Sequence, residues 1–140
     1  MATVDTPKVG KVRNDRIRYG VRDMTTGVDN LVLAYEHPFE MRGNYGHYWV
    51  IREETLRSTL YDRLTYQIGP VERCLDSECP LAKKALDFIE RRIKTGWREL
   101  SDAFAREQNG EKGVFGKSLR NLKRCTTALH NYLAQYVVMD

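Results

Sequence analysis

The sequence contains no long apolar run, so we do not expect it to cross a membrane. The longest uninterrupted runs, Leu31 to Tyr35 and Tyr48 to Ile51, are far shorter than the roughly 20 residues that a bilayer requires. Residues Met1 to Asp5 show no charged region followed by an apolar core, so we expect no secretory signal. Hydrophobic residues make up 41% of the chain and charged residues 30%, which is typical of a globular protein. We therefore expect a cytoplasmic protein with no membrane partner.

Cysteine is scarce, at positions 74, 79 and 125 only. An odd number of cysteines without a secretory signal predicts reduced thiols rather than a disulfide framework. Together with His130 these residues would supply four zinc ligands, but Cys125 and His130 are separated by about 140° around a helix axis. We therefore expect Cys125 to be a small buried residue, and we expect neither a metal nor another cofactor.

The chain also lacks a catalytic signature. Residues 113–118 end in Gly-Lys-Ser, but Glu111 stands where the phosphate loop of a nucleotide hydrolase requires glycine. His37, Glu40 and His47 are candidates for acid–base chemistry, yet nothing in their spacing requires them to converge and no nucleophile accompanies them. We therefore expect a binding protein and not an enzyme.

What the sequence does contain is a net charge of +4 that is concentrated in two zones. In residues 16–22 arginine alternates with apolar side chains, a pattern typical of a β-strand with its arginines on one face. Arg16, Arg18 and Arg22 would then form a ridge, with Arg13 just before it. A polyanion would bind such a ridge, but charged side chains also protect exposed sheet edges, so the pattern leaves both interpretations open.

The second basic zone lies in the last predicted helix, at about residues 116–136. Its leucines form an inward face, which leaves four cations on the other faces: Lys117, Arg120, Lys123 and Arg124. Two basic zones that flank an acidic middle indicate a polyanion site built from both ends of the chain. Solvated side chains that only maintain solubility would give the same distribution.

Between the two zones, residues 35–49 combine several aromatic side chains with glycine and asparagine. Aromatic side chains on such a loop stack on the bases of single-stranded nucleic acid, and they also contribute to protein interfaces. The candidates for stacking or for contact with a partner are His37, Phe39 and Tyr45.

The patterns together predict an α+β fold in a single compact domain over residues 1–140. Residues 1–52 are expected to form mainly a three-stranded antiparallel meander, with strands at 16–22, 31–35 and 47–52. Residues 53–140 are expected to form a bundle of three to four helices. One of these covers residues 53–68 and ends at Gly69-Pro70, and another begins at Pro80 and is either continuous or broken at Gly96.

The leading functional hypothesis is a small nucleic-acid-associated protein that binds the phosphate backbone, alone or within a nucleoprotein complex, with low sequence specificity. The alternative is a protein-interaction module, such as a regulator, inhibitor or assembly subunit, that uses residues 35–49 as its contact surface. Compact basic proteins of this size are common among viral and mobile-element accessory factors, which is a base rate and not a resemblance. The sequence leaves the oligomeric state open.

Overall fold

The computed structural model describes residues 13–36, 56, 64–75, 80–135 and 137–139, and within these ranges it is a bundle of four helices. Its helical segments are α1 (Asp15–Glu36), α2 (Tyr66–Cys74), α3 (Pro80–Phe88), a π-helical turn (Ile89–Ile93), α4 (Lys94–Gln108) and α5 (Val114–Leu133). The predicted α+β fold is therefore wrong, because no strand occurs in the described ranges. The predicted strand at residues 47–52 lies outside them.

The first two predicted strands and the turn between them form one helix, α1. Its buried apolar side chains recur alternately four and three residues apart: Ile17, Val21, Met24, Val28 and Leu31. The strand would have buried Tyr19 beside Ile17 and Val21, but Tyr19 is 56% exposed. Asn14 caps the helix, since its Oδ1 accepts a hydrogen bond from the backbone N–H of Ile17 at 3.1 Å. The alternation was misleading because Ile17 and Val21 also share one helix face.

The sequence predicted that a helix ends at Gly69 and Pro70. This is wrong, because both residues lie inside α2. Pro70 removes one backbone hydrogen bond from the helix, and the burial of Ile68 and Val71 in the core favours the helix nevertheless. Leu56 and Leu64, which belong to the helix predicted over residues 53–68, are buried too.

The helix that begins at Pro80 is continuous to Gln108, because the π-helical turn joins α3 to α4 without a break. Gly96 lies inside α4, where the backbone closely approaches α5. A Cβ on Gly96 would lie 2.9 Å from Cδ1 of Leu122. The glycine therefore serves helix packing and not helix termination.

The last helix is confirmed nearly as predicted. It buries the leucines expected to face inward, which are Leu119, Leu122, Leu129 and Leu133. Residues 109–113 connect it to α4, with Gly110 and Gly113 at φ values of 109° and 81° that favour glycine. Contacts to α1, α4 and the π-helical turn place α5 at the centre of the bundle. No helix in the described part of the chain is long and apolar enough to cross a membrane.

Candidate anion-binding face on α5

The exposed side of α5 carries positive charge and no negative charge. The helix has 20 residues and contains neither aspartate nor glutamate. Its four lysine and arginine side chains, which we call the α5 face, are all exposed: Lys117, Arg120, Lys123 and Arg124. Lys117, Arg120 and Arg124 recur at the i, i+3 and i+7 spacing of a single helix stripe. The stripe therefore presents cations side by side to solvent.

Two of these cations are paired across the seam between α5 and α1. Nη1 of Arg120 lies 3.2 Å from Oε2 of Glu36, and Nζ of Lys123 lies 4.0 Å from Oδ1 of Asp29. The two helices are antiparallel, since the end of α1 meets the start of α5. Lys117 and Arg124 form no ion pair with any described residue and are the cations that a ligand would meet first.

Further along the seam, α1 contributes an arginine where it contributed a carboxylate at the two preceding positions. Glu36, Asp29 and Arg22 follow one another at intervals of seven residues, so they lie along nearly the same edge of α1. The third of these residues, Arg22, is a cation. It lines a depression of about 220 Å³ whose other walls are hydroxyl and imidazole side chains: Thr25, Thr26, Thr127 and His130. None of the described residues that line this depression carries a carboxylate.

The opposite side of α5 faces α4 and the π-helical turn and is mixed in charge. The guanidinium groups of Arg92 and Arg124 both lie close enough to Cys125 to act on its thiol. Burial raises the pKa of the Cys125 thiol, and these two positive charges oppose the rise. Near the start of α5, a depression of about 430 Å³ brings Lys117 together with Glu99 and Asp102 of α4. Two carboxylates therefore lie along this edge of the α5 face.

The prediction that the arginines of residues 16–22 form a ridge on one face of a strand is wrong, because these residues lie on a helix. Arg16 and Arg18 are about 160° apart around the axis of α1, whereas Arg18 and Arg22 are about 40° apart. Arg18 is held by its neighbours: its Nη2 donates a hydrogen bond to the Tyr19 hydroxyl at 2.7 Å and lies 3.5 Å from Oδ1 of Asp15. Arg13 and Arg16 are exposed, and neither lines the depression beside Arg22. The structure therefore places Arg22 beside Thr127 and His130 of α5 and not beside the other predicted arginines.

The predicted aromatic loop does not begin at Tyr35. This residue is in the last turn of α1, and its ring packs against Phe115 with a centroid distance of 5.4 Å. The stacking candidates His37, Phe39 and Tyr45 lie outside the described residues, so their role stays a prediction.

A second concave region lies between α2 and α4. It measures about 600 Å³, and its walls include Ile68, Gly69 and Trp97. At its rim Nζ of Lys94 lies 3.0 Å from Oε2 of Glu72. Burial alone would lower the pKa of Lys94, but hydrogen bonds to the Glu72 and Glu90 carboxylates outweigh it and raise that pKa. The lysine is therefore a structural cation that joins α2 to α4.

The free thiols of Cys74 and Cys125 lie on different helices, and Cys125 is buried as its spacing predicted. In the part of the chain that the structure describes, no group of three or more histidine, cysteine, aspartate or glutamate side chains is arranged to hold a metal ion. The chain matches no protein-family model and has no significant match among curated proteins or solved structures.

Proposed function

We propose that the protein binds nucleic acid through the phosphate backbone, with the α5 face as its principal contact surface. The observation that carries the proposal is the composition of α5, which has four exposed cations and no acidic residue in 20 positions. Lys117 and Arg124 have no ion partner among the described residues, so binding them to phosphate breaks no existing pair. Each such contact releases condensed counterions, which is the main source of non-specific affinity.

The length of the face suits a stretch of backbone. From Lys117 to Arg124 the helix rises about 10 Å at 1.5 Å per residue. The phosphates of one DNA strand follow one another about every 3.4 Å along the duplex axis, so the face spans about three of them. The cations face solvent, and contacts to phosphate position a protein on the backbone without reading the bases. We therefore expect weak sequence specificity.

The experiment is a fluorescence-anisotropy titration of short single-stranded and double-stranded oligonucleotides at several salt concentrations. The wild-type protein should lose affinity steeply between about 50 and 200 mM salt. The double variant Lys117→Ala/Arg124→Ala should bind more weakly at every concentration, and its salt slope should fall by about two. Arg124 should account for more of the loss, because Lys117 lies beside Glu99 and Asp102.

The matched control is Lys83→Ala/Lys84→Ala, which removes the same charge from exposed positions on α3. This variant should bind nearly as the wild type does. If the two double variants lose affinity equally, net charge and not the α5 face governs binding. If neither oligonucleotide binds at low salt, the proposal fails and the protein-interaction alternative takes its place.

A further inference from the structure

We propose that the third position of the α1–α5 seam is a binding site for a single phosphate group, formed by Arg22, Thr26, Thr127 and His130. This inference rests on the proposed function and names a site that would hold one backbone phosphate in a defined position beside the α5 face. We call these four residues the seam site.

The argument begins with the regularity of the seam. At its first two positions a carboxylate of α1 meets a cation of α5, as Glu36 meets Arg120 and Asp29 meets Lys123. At the third position α1 contributes Arg22, and α5 contributes only Thr127 and His130. Within the described part of the chain, no anion therefore lies opposite this cation. A negatively charged ligand would complete the pattern that the two preceding positions establish.

The side chains of the seam site match the chemistry of phosphate. A guanidinium binds two phosphate oxygens at once through parallel N–H donors, and hydroxyls donate to the remaining oxygens. The hydroxyl of Thr25 already donates to the carbonyl oxygen of Val21 at 2.9 Å, so the available hydroxyl donors are those of Thr26 and Thr127. A ring nitrogen of His130 adds a further donor when it carries a proton.

Size and surrounding charge support the same ligand. The depression of about 220 Å³ is smaller than the roughly 300–1,000 Å³ of pockets for drug-sized ligands, but it is ample for one phosphate and a few waters. The next acidic side chain along this edge of α1 is Asp29, one turn beyond Thr26, and its Oδ1 lies 4.0 Å from Nζ of Lys123. Among the described residues no carboxylate lines the depression itself.

The seam site also continues the α5 face. Thr127 follows Arg124 by three residues, so a backbone phosphate at Arg22 leaves the adjoining phosphates beside Arg124. The proposed ligand is therefore a phosphodiester of a nucleic-acid backbone. Free inorganic phosphate has the same chemistry, and the test separates the two sources.

The test uses two probes on the full chain. Inorganic phosphate is titrated while the NMR signals of His130, Thr26 and Thr127 are followed, and a short oligonucleotide is titrated by anisotropy. The variant is Arg22→Gln, and the control is Arg73→Gln, which removes an equally exposed arginine from α2. Phosphate should shift the three signals in the wild type and the control but not in Arg22→Gln. Oligonucleotide affinity should fall about tenfold in Arg22→Gln and less than about twofold in the control.

A second variant, Thr127→Val, removes a hydroxyl without changing charge or shape. It should weaken oligonucleotide binding by about two- to tenfold, the contribution of one hydrogen bond. Thermal melting of each variant establishes that the fold is intact, and Arg22 is exposed with no ion pair among the described residues, so its loss should leave the melting temperature unchanged.

The outcomes separate this inference from the proposed function. If oligonucleotides bind but Arg22→Gln and Thr127→Val bind as tightly as the wild type, the seam site is refuted while the α5 face stands. If inorganic phosphate shifts the three signals only when Arg22 is present and no oligonucleotide binds, the seam site is supported with free phosphate as its ligand and the proposed function fails. If phosphate shifts nothing and no oligonucleotide binds, both are refuted.

Discussion

The ring of Tyr35 lies against the backbone of Gly116, so closely that a Cβ at residue 116 would come within 2.7 Å of Cε2. This contact joins the last turn of α1 to the first turn of α5. It lies at the end of the seam where Arg120 meets Glu36, and a larger residue at position 116 would push the two helices apart there.

Gly116→Ala should therefore destabilise the protein. The added methyl overlaps a ring that is itself packed against Phe115, and overpacking of this kind costs about 1–3 kcal/mol. Gly69→Ala is the matched control, because the nearest atom to its Cβ is Nη1 of Arg73 at 3.4 Å and alanine favours a helix. Urea unfolding should give a lower free energy for Gly116→Ala and an unchanged or higher one for Gly69→Ala. Equal values would show that Tyr35 moves aside without cost.

Glu36→Gln should increase affinity for oligonucleotides. The substitution frees Arg120 from its carboxylate partner and removes a negative charge beside the α5 face. We expect affinity to rise by about two- to fivefold at low salt and the salt slope to grow by about one. Asp87→Asn, which frees Arg91 from an ion pair on α3, is the control and should change little. A rise of equal size in both variants would point to net charge alone.

Cys125 should react slowly with alkylating reagents. Burial raises the pKa of its thiol and outweighs the opposing charges of Arg92 and Arg124, and the thiolate is the reactive form. In the native protein iodoacetamide should modify the partly exposed Cys74 at least about tenfold faster than Cys125, as followed by peptide mass spectrometry. In urea the two rates should converge. Similar native rates would mean that the thiol of Cys125 is accessible.

The turn between α4 and α5 should make stability depend on pH. Hydrogen bonds from Arg106 lower the pKa of Glu111 below its ordinary value of 4.5. The stabilisation is therefore complete above about pH 4.5 and is lost as the pH falls through the lowered value. The melting temperature of Glu111→Gln should lie slightly below that of the wild type at pH 7, since exposed ion pairs contribute little. The difference should shrink as the pH is lowered below 4.5. Arg106→Gln should show the same pH dependence as Glu111→Gln. A difference from the wild type that stays constant as the pH is lowered would contradict the role of the Arg106–Glu111 pair.

The sequence predicted the last helix and the one that begins at Pro80, in each of which apolar side chains define a single face. In α5 four leucines mark the buried side, so its extent and its exposed cations could both be anticipated. In α1 the helical signal was present as the alternating spacing of Ile17, Val21 and Met24, but the arginine alternation over residues 16–22 fits a strand equally well. Thr25 also resembled a turn residue, although its hydroxyl bonds to the carbonyl of Val21 within the helix.

The residues of the candidate site also include some that the sequence could predict and some that it could not. Arg22 and the α5 cations could be found from charge alone, since isolated basic zones are visible in a sequence. Thr127 and His130 could not, because neutral side chains acquire a role only when packing places them opposite Arg22. The signal that would have helped is the seven-residue interval from Glu36 to Asp29 to Arg22.

The antiparallel seam also determines the order in which the parts of the proposed seam site come together. Glu36 and Arg120 are separated by 84 positions along the chain, whereas α4 and α5 are joined by a short turn. Loop closure over such a distance is slow, so we expect the α4–α5 hairpin to fold early and α1 to dock onto it late. During synthesis Arg22 leaves the ribosome long before Thr127 and His130. The nascent chain therefore lacks the α1–α5 seam, and with it the proposed seam site, until α5 has been made.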